Sequence, residues 1–256
     1  MKQLIVNNLP EKSYARNEAI NTLCTNLAFC GTDVRRVVVT SAHADEGKST
    51  ISVEIMRKMA ELSHSVVLVD ADLRKSVLTS NYNLQFPDEA KLGLAHYLAG
   101  RANMDEVLYQ TNIPGAYMVP VGRTVSNPLQ LLSSGRFGEL MDYLANGADY
   151  VIVDAPPLGT VIDAARISQS CDGALIIVEY NAVHRRELQS VKQQLEQAGC
   201  PILGTAITKV DYSDYMSKRY YYKSYYYKSG YKKYGYYSHA YAKEQKESPF
   251  KREKHS

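Results

Sequence analysis

The stretch Ser41-Ala42-His43-Ala44-Asp45-Glu46-Gly47-Lys48-Ser49-Thr50 lies between a run of β-branched residues and an amphipathic segment. It fits the phosphate-binding pattern G-x-x-x-x-G-K-[ST], except that Ala42 replaces the first glycine. The run at residues 36–40 predicts a buried strand, and the apolar spacing of residues 49–62 predicts a helix. A strand before this loop and a helix after it are the context in which such loops bind nucleotide phosphates, so the stretch predicts a nucleotide site.

Each position of the loop has a predicted part in nucleotide binding. Backbone N–H groups of the loop and of the helix N-terminus face the phosphates, and Gly47 lets the backbone come close. Lys48 reaches the β- and γ-phosphates, and the Ser49 hydroxyl ligates Mg²⁺. The predicted nucleotide-binding residues are Asp45, Glu46, Gly47, Lys48, Ser49 and Thr50.

Two further apolar runs end in carboxylates. Residues 66–69 lead into Asp70-Ala71-Asp72-Leu73-Arg74, and residues 150–153 lead into Asp154-Ala155-Pro156-Pro157. A hydrophobic strand that ends in Asp is the Walker B pattern, which holds Mg²⁺ directly or through water. Charged groups at the tip of a buried strand are costly unless they are paired or used, so both ends are predicted to belong to the site.

The alternation of apolar runs and amphipathic stretches predicts the fold class. Continuous apolar strands separated by helices indicate an α/β fold with a mostly parallel sheet and helices on both faces. With the phosphate-binding loop, the predicted fold class is a P-loop NTPase. Ligands of such sheets bind at the carboxyl ends of the strands, where all three motifs fall. The predicted strands are 36–40, 66–69, 116–120, 150–153, 174–178 and 202–207, and the predicted helices are 17–29, 49–62, 135–145, 161–169 and 185–198. The predicted domains are a lead-in with one helix at 1–34, a P-loop domain at 35–211 and a low-complexity tail at 212–256.

The tail is rich in tyrosine and lysine. Thirteen of the 21 tyrosines lie within residues 212–241, and residues 212–256 carry eleven Lys and Arg against four Asp and Glu, a net charge of +7. The rest of the chain has a net charge of −4. A segment without aliphatic core residues or a regular period is expected to be disordered in isolation. The candidate phosphate acceptors are Tyr220, Tyr221, Tyr222, Tyr225, Tyr226, Tyr227, Tyr231, Tyr234, Tyr236 and Tyr237.

Bulk composition narrows the class of protein. The 256 residues are 45% hydrophobic, but no run reaches the length of ~18–20 apolar residues that a membrane-spanning helix needs. The apolar stretch at the N-terminus is too short for a signal peptide, so a cytoplasmic protein is expected. The cysteines at 24, 30, 171 and 200 form no CxxC pair, which favours reduced thiols over a metal site.

The three motifs and the tail together resemble the bacterial tyrosine kinases of capsule and exopolysaccharide systems, over residues 18–241. That family has a P-loop ending in GKST, a second motif D-x-D-x-R, a Walker B motif D-x-P-P and a C-terminal tyrosine cluster. The resemblance implies that Asp70 helps activate the tyrosine hydroxyl and that Arg74 assists at the phosphates. It also implies that Asp72 and Asp154 help organise Mg²⁺. The expected catalytic residues are Lys48, Asp70, Asp72, Arg74 and Asp154, and the expected metal ligands are Ser49, Asp70 and Asp154.

The resemblance carries further expectations about cofactors and partners. It implies an ATP- and Mg²⁺-dependent tyrosine-protein kinase that phosphorylates its own tail and regulates polysaccharide synthesis. A membrane polysaccharide co-polymerase would activate the kinase and recruit it to the inner face of the membrane, and a cognate tyrosine phosphatase would reverse the modification. A homo-oligomer is compatible with the resemblance, and no nucleic-acid partner is expected.

The chain departs from the family pattern at three places. Asp45 stands where the family usually has glycine. Asn21 and Cys24 replace the two arginines of the helix motif E-x-x-R-x-x-R, which follows Glu18 and mediates subunit contacts in the family. Near the base-binding end, Thr208-Lys209-Val210-Asp211 replaces N-K-x-D.

Several alternatives remain open from the sequence. A non-kinase ATPase switch would resemble the partition and septum-site ATPases, but His43 stands at the position of their second, signature lysine. A degraded adaptor would bind nucleotide poorly because of Asp45, and another kinase would phosphorylate its tail. Interleaved tyrosine and lysine can also bind single-stranded nucleic acid or serve as an unmodified interaction segment.

Overall fold

The computed structural model describes residues 1–11 and 13–210. Residues Met1–Lys209 form one compact unit. Eight strands occur among the described residues: β1 Lys2–Leu4, β2 Arg36–Ser41, β3 Val66–Asp70, β4 Tyr109–Thr111, β5 Ala116–Val119, β6 Tyr150–Asp154, β7 Gly173–Glu179 and β8 Ile202–Thr208. The helices of the same residues are α1 Tyr14–Ala28, α2 Lys48–Glu61, α3 Leu78–Asn81, α4 Leu94–Leu98, α5 Met104–Val107, α6 Pro128–Leu132, α7 Arg136–Gly147, α8 Asp163–Ser168 and α9 Arg185–Gln197.

The strands form a single sheet in the order β1-β4-β5-β3-β6-β2-β7-β8. All neighbouring strands are parallel except β4 and β5, which are antiparallel. The predicted α/β class and the mostly parallel sheet are therefore confirmed. Because β3, β6 and β2 are adjacent, their carboxyl ends meet at one edge of the sheet, which brings the three sequence motifs together.

Both faces of the sheet are covered, as continuous apolar strands require. Alternate residues of a strand point to opposite faces, so Val38 packs in one hydrophobic cluster while Val37 and Val39 pack in the other. The first cluster includes residues of α4, α7, α8 and α9, and the second includes residues of α1 and α2.

Two short strands, β1 and β4, are not among the predicted elements. β1 adds three residues to the edge of the sheet beside β4, and α1 packs against α2. Residues 1–34 thus contribute a strand and a helix to the same compact unit as the P-loop. The three-residue strands lack the apolar runs that mark the central strands, so pattern alone does not reveal them.

Candidate active site

The P-loop has the backbone that a phosphate cradle requires. Gly47 adopts a φ of 93° immediately before α2, in the left-handed region that favours glycine. Asp45 also has a positive φ, 62°, a conformation that glycine adopts more readily than other residues. Aspartate is one of the few other residues that tolerate this conformation. The Asp45 side chain is exposed, so its charge lies at the mouth of the loop.

The Ala42 substitution is accommodated inside the fold. Ala42 is fully buried, and its carbonyl lies against Gly159, where a Cβ would be only 2.3 Å from the oxygen. The backbone N–H of Leu158 donates to the Ser41 carbonyl at 2.8 Å. The segment after the Walker B motif therefore packs against the start of the P-loop. Gly159 is a contact residue of the loop that the sequence motifs do not reveal.

Glu46 anchors the loop with its side chain. Its buried carboxylate accepts hydrogen bonds from the backbone N–H groups of His43 and Glu179, the latter at 3.0 Å. Its carbonyl accepts from the Thr208 hydroxyl at 2.6 Å. The side chain of Glu46, predicted to be nucleotide-binding, therefore ties the loop to the ends of β7 and β8, and only its backbone N–H remains a candidate phosphate donor.

Lys48 lies over the loop. Its Nζ is 3.5 Å from the His43 carbonyl, which also accepts from the Ser41 hydroxyl at 2.5 Å. His43 itself points away from the loop, with Nε2 3.2 Å from a carboxylate oxygen of Glu187 on α9. His43, which stands at the position of the signature lysine in the partition ATPases, is thus bound to α9 of its own chain.

Asp154 is buried beneath the loop. Burial raises the pKa of its carboxyl to about 6, while hydrogen bonds from the Ser49 and Ser52 hydroxyls and the positive Lys48 oppose this rise. The Ser52 hydroxyl donates to Asp154 at 3.3 Å. The Walker B carboxylate therefore lies beside the P-loop lysine and serine, as the sequence predicts.

Asp70 lies directly beside Asp154 in the register of β3 and β6. Burial, and next the neighbouring charge of Asp154, raise the pKa of Asp70 well above its usual range. The Ser76 hydroxyl donates to Oδ2 at 2.5 Å, whereas Oδ1 is buried and has no hydrogen-bond partner among the described residues. Buried polar atoms are normally paired, so an unpaired carboxylate oxygen indicates a ligand position.

The residues after Asp70 are held by two carboxylates. Asp72 accepts from the backbone N–H groups of Arg74 and Lys75, at 3.2 and 2.9 Å. The Arg74 guanidinium binds the buried Asp163 with two hydrogen bonds, from Nε at 2.5 Å and from Nη2 at 3.1 Å. Arg74 is thus fixed to the start of α8 by Asp163. This carboxylate is not among the predicted site residues, because a single aspartate at the start of a predicted helix reads as a helix cap.

The structure also places the departures from the family pattern. Cys24 is 1% exposed within the core, and burial raises the pKa of its thiol to about 12, so it is not on a surface that a neighbouring subunit could contact. Lys209 binds Glu179 at 2.7 Å beside the end of β8. Asp211 and the predicted acceptor tyrosines lie outside the described residues.

The site suits a metal that is completed by phosphate oxygens. The described residues contain no group of three or more His, Cys, Asp and Glu side chains that could hold a metal alone. Ser49 and Asp154 supply a hydroxyl and a carboxylate next to the phosphate cradle, and Asp70 lies beside Asp154 in the sheet. Proteins commonly bind Mg²⁺ through one or two carboxylates together with substrate phosphates.

Comparisons with known proteins agree with this geometry. Residues 35–198 match the family described as AAA domain. The tyrosine-protein kinase CpsD of Streptococcus pneumoniae is 38% identical over 196 residues, which cover 77% of this chain and 85% of that protein. The kinase domain of the Escherichia coli tyrosine kinase ETK is 29% identical with a TM-score of 0.69, covering 76% of this chain and 77% of that one.

A more distant structure shares the fold alone. The septum site-determining protein MinD of Pyrococcus horikoshii, solved with Mg-ADP, is 22% identical with a TM-score of 0.59 and covers 70% of this chain and 73% of its own. Within the described residues no helix is both long and apolar enough to cross a membrane. The P-loop, the paired aspartates and the extent of the match to CpsD lead to one conclusion: the chain belongs to the family of bacterial protein-tyrosine kinases.

Proposed function

We propose that the chain transfers the γ-phosphoryl group of ATP to tyrosines of its own C-terminal segment, supplied by the same chain or by a second copy. The observation that carries this proposal is the buried Asp70, whose unpaired oxygen lies next to the Walker B carboxylate and the P-loop. A switch that only hydrolyses ATP needs a positioned water, whereas a kinase needs a base for an incoming hydroxyl.

The P-loop holds the nucleotide in this proposal. Backbone N–H groups from Asp45 to Thr50 and the N-terminus of α2 would bind the phosphates, and the φ of Gly47 permits their close approach. The Lys48 ammonium, which lies 3.5 Å from the His43 carbonyl, would offset negative charge on the transferring phosphate. Little covalent chemistry falls to the protein, so positioning and charge stabilisation account for its catalysis.

Ser49 and Asp154 would hold Mg²⁺, with Asp70 and Asp72 at its margin. When bound, the ion supplies positive charge that offsets the negative charge on the phosphates. Asp154 is suited to this because the Ser49 and Ser52 hydroxyls already hold its carboxylate in place. Its raised pKa means that binding of a cation would displace a proton from it at mildly acidic pH.

Asp70 would accept the proton of the acceptor hydroxyl. A tyrosine hydroxyl has a pKa near 10, far above that of an ordinary aspartate, so a carboxylate with a raised pKa is a better matched base. Ser76 holds one oxygen of Asp70 and leaves the other free for the hydroxyl. Arg74, held by Asp163, would offset charge on the transferring group.

The acceptors would be tyrosines within residues 212–241. Each added phosphate brings about −1.5 to −2 charges near neutral pH, so about four or five would cancel the tail's +7. Phosphorylation would thereby change how the tail binds to acidic surfaces, including the acidic remainder of the chain. This gives the modification a physical route to regulate assembly.

The wider setting follows the family resemblance. We propose a kinase domain at 35–211 with the lead-in at 1–34 and the acceptor segment at 212–256. A membrane polysaccharide co-polymerase would activate the kinase and hold it at the inner face of the membrane. A cognate tyrosine phosphatase would remove the phosphates from the tail. The process under control would be capsule or exopolysaccharide synthesis.

Incubation with ATP and Mg²⁺, followed by mass spectrometry of the intact chain and of its peptides, tests the proposal. We expect phosphotyrosine within residues 212–241 of the wild type and none in Lys48→Met. The measurement should be made with and without a membrane activator. ATP hydrolysis without phosphotyrosine under both conditions would contradict the kinase proposal and favour the ATPase switch.

A further inference from the structure

Three basic residues, His96, Arg101 and Arg123, lie near the carboxyl end of β5. We call them the basic patch. The strand order places β7 and β8 at one end, the P-loop on β2 and the Walker B carboxylate on β6 in the middle, and Asp70 on β3. β5 is the next strand beyond β3, at a spacing of about 4.8 Å, so its carboxyl end lies on the side of Asp70 away from the P-loop.

The loop after β5 borders the proposed base directly. The backbone N–H of Val121 lies close enough to the Asp70 carboxylate to lower its pKa, and the N–H of Val125 donates to the Leu73 carbonyl at 2.7 Å. Arg123 lies between these two contacts in the chain and is exposed. An acceptor that approaches Asp70 from this side therefore meets the loop that carries Arg123.

His96 and Arg101 complete the patch from α4. The N-terminus of α4 is bound to the end of β5, because the Ala95 N–H donates to the Val121 carbonyl at 3.1 Å. A Cβ on Gly122 would be 2.7 Å from His96 Nδ1, so the imidazole lies against the residue that precedes Arg123. Arg101 follows the end of α4, with its backbone N–H bonded to the His96 carbonyl at 2.9 Å.

The charge of the patch is not neutralised by the described part of the chain. Among those residues, neither Arg101 nor Arg123 forms an ion pair with a carboxylate. Burial lowers the pKa of His96, and the positive charges of Arg123 and Arg101 lower it further. Nδ1 of the neutral imidazole accepts from the Gly93 N–H at 3.2 Å, which leaves Nε2 as a hydrogen-bond donor.

Two guanidinium groups that have no carboxylate partner within residues 1–11 and 13–210, together with one donor imidazole, suit a phosphate dianion. They do not suit the unmodified tail, whose lysines would be repelled. The tail becomes a ligand of the opposite charge once a tyrosine in it is phosphorylated. In an extended segment, residues two apart point to the same side at a separation of about 7 Å, so a pair such as Tyr220 and Tyr222 can present one hydroxyl and one phosphate together.

We propose that the basic patch binds a phosphotyrosine already present in the tail while the next tyrosine enters at Asp70. The patch would make later phosphorylations depend on the first one. This inference rests on the proposed function, because it requires the tail to be the acceptor.

A time course of phosphates per chain tests this dependence. The full-length chain is first dephosphorylated, then given ATP and Mg²⁺, and intact mass spectrometry counts the phosphates. In the double variant Arg101→Gln/Arg123→Gln we expect the first phosphate at a rate within about twofold of the wild type, and the second and later ones about tenfold more slowly. Lys192→Gln, which removes one exposed positive charge on α9, serves as the control and should follow the wild type.

Equal progress of the double variant and the wild type through all phosphates would overturn the proposal. Equal slowing of the first and later phosphates would overturn it as well, since the arginines would then act on the unmodified acceptor or on the fold. Absence of tail phosphotyrosine in the wild type would instead contradict the proposed function.

A binding measurement gives an answer that does not depend on catalysis. The full-length Lys48→Met chain is titrated with a synthetic peptide of residues 218–227, either unmodified or phosphorylated at Tyr222. We expect the phosphorylated peptide to bind about tenfold more tightly, and this preference to disappear when Arg101→Gln and Arg123→Gln are added. Equal affinity for the two peptides, or a preference that survives the two substitutions, would overturn the proposed phosphotyrosine site.

Discussion

Asp70 and Asp154 occupy directly opposite register positions at the carboxyl ends of β3 and β6, and both side chains are almost fully buried. Two neighbouring carboxylates in a buried site resist ionising together, so each favours the neutral form of the other. This relationship places a proton-accepting group and a candidate metal ligand side by side, next to the P-loop. Without nucleotide, ionisation of these two carboxyls should lower the free energy of unfolding, and this decrease can be measured.

Stability should fall with rising pH when no nucleotide is bound. The pKa of Asp154 is raised to about 6 from an ordinary value of 3.8, so between these values the folded chain keeps a proton that the unfolded chain has released. The free energy of unfolding therefore decreases as the pH rises through this window, and Asp70, whose pKa is also raised, adds to the decrease. We expect Asp154→Asn to be more stable than the wild type at pH 8, by about 3 kcal/mol.

Urea unfolding of both proteins at pH 5 and pH 8, without nucleotide, measures this difference. The advantage of Asp154→Asn should shrink at pH 5, where the wild-type carboxyl is largely protonated. A variant that is less stable than the wild type at pH 8 would show that Asp154 is stabilised as an anion, which contradicts a pKa raised by burial.

Removal of the Asp163 charge should release Arg74. In Asp163→Asn the guanidinium loses its charged partner, so its position near the phosphates becomes less defined. We expect kcat for tail phosphorylation to fall about tenfold, with a smaller change in KM for ATP. Asp142→Asn, which removes an exposed carboxylate paired with Arg36, is the matched control and should retain the wild-type kcat. A wild-type kcat in Asp163→Asn would contradict the idea that Asp163 positions Arg74 for phosphoryl transfer.

Loss of the Glu46 side chain should loosen the P-loop. Glu46→Ala leaves the N–H groups of His43 and Glu179 without their buried acceptor, at a cost of about 1–3 kcal/mol for each unpaired group. We expect a lower melting temperature together with nucleotide binding weakened about tenfold or more. The exposed Glu196→Ala on α9 should change neither quantity. Unaltered nucleotide affinity in Glu46→Ala would mean that the loop keeps its shape without this anchor.

Replacement of Asp45 should strengthen nucleotide binding. Asp45→Gly removes a negative charge from the mouth of the loop and relaxes a positive φ, so we expect affinity for ATP to rise about fivefold at low salt. Asp45→Asn separates the two causes, because asparagine tolerates the same backbone without the charge. Calorimetry at low and high salt measures both variants. A weaker affinity in both would indicate that Asp45 helps bind the metal instead.

The central part of the site could be predicted from sequence because its residues end long apolar strands. Asp70 and Asp154 follow runs whose burial is evident from composition, and parallel strands must bring their carboxyl ends to one edge. The P-loop could likewise be predicted, because its motif includes Gly47 at the position where the backbone has a positive φ.

The supporting residues could not be predicted in the same way. Asp163 binds Arg74 across 89 positions of sequence, and Glu46 binds Glu179 across 133, so only the folded chain shows these partners. The motif predicts that Glu46 binds the nucleotide, but its carboxylate already accepts hydrogen bonds from the backbone N–H groups of His43 and Glu179. β1 is three residues long and has no pattern of its own, and its place is set by the neighbouring β4.

The most direct test of Asp70 as the base is the phosphotyrosine map of the tail in Asp70→Asn beside the wild type, with ATP binding measured on the same samples. Asparagine is nearly the same size as aspartate and carries no charge at this buried position, so the fold and the P-loop should be retained. We predict ATP binding within about threefold of the wild type and phosphotyrosine in residues 212–241 reduced by about a hundredfold or more. Tail phosphorylation at the wild-type rate in Asp70→Asn would contradict the assignment of Asp70 as the base.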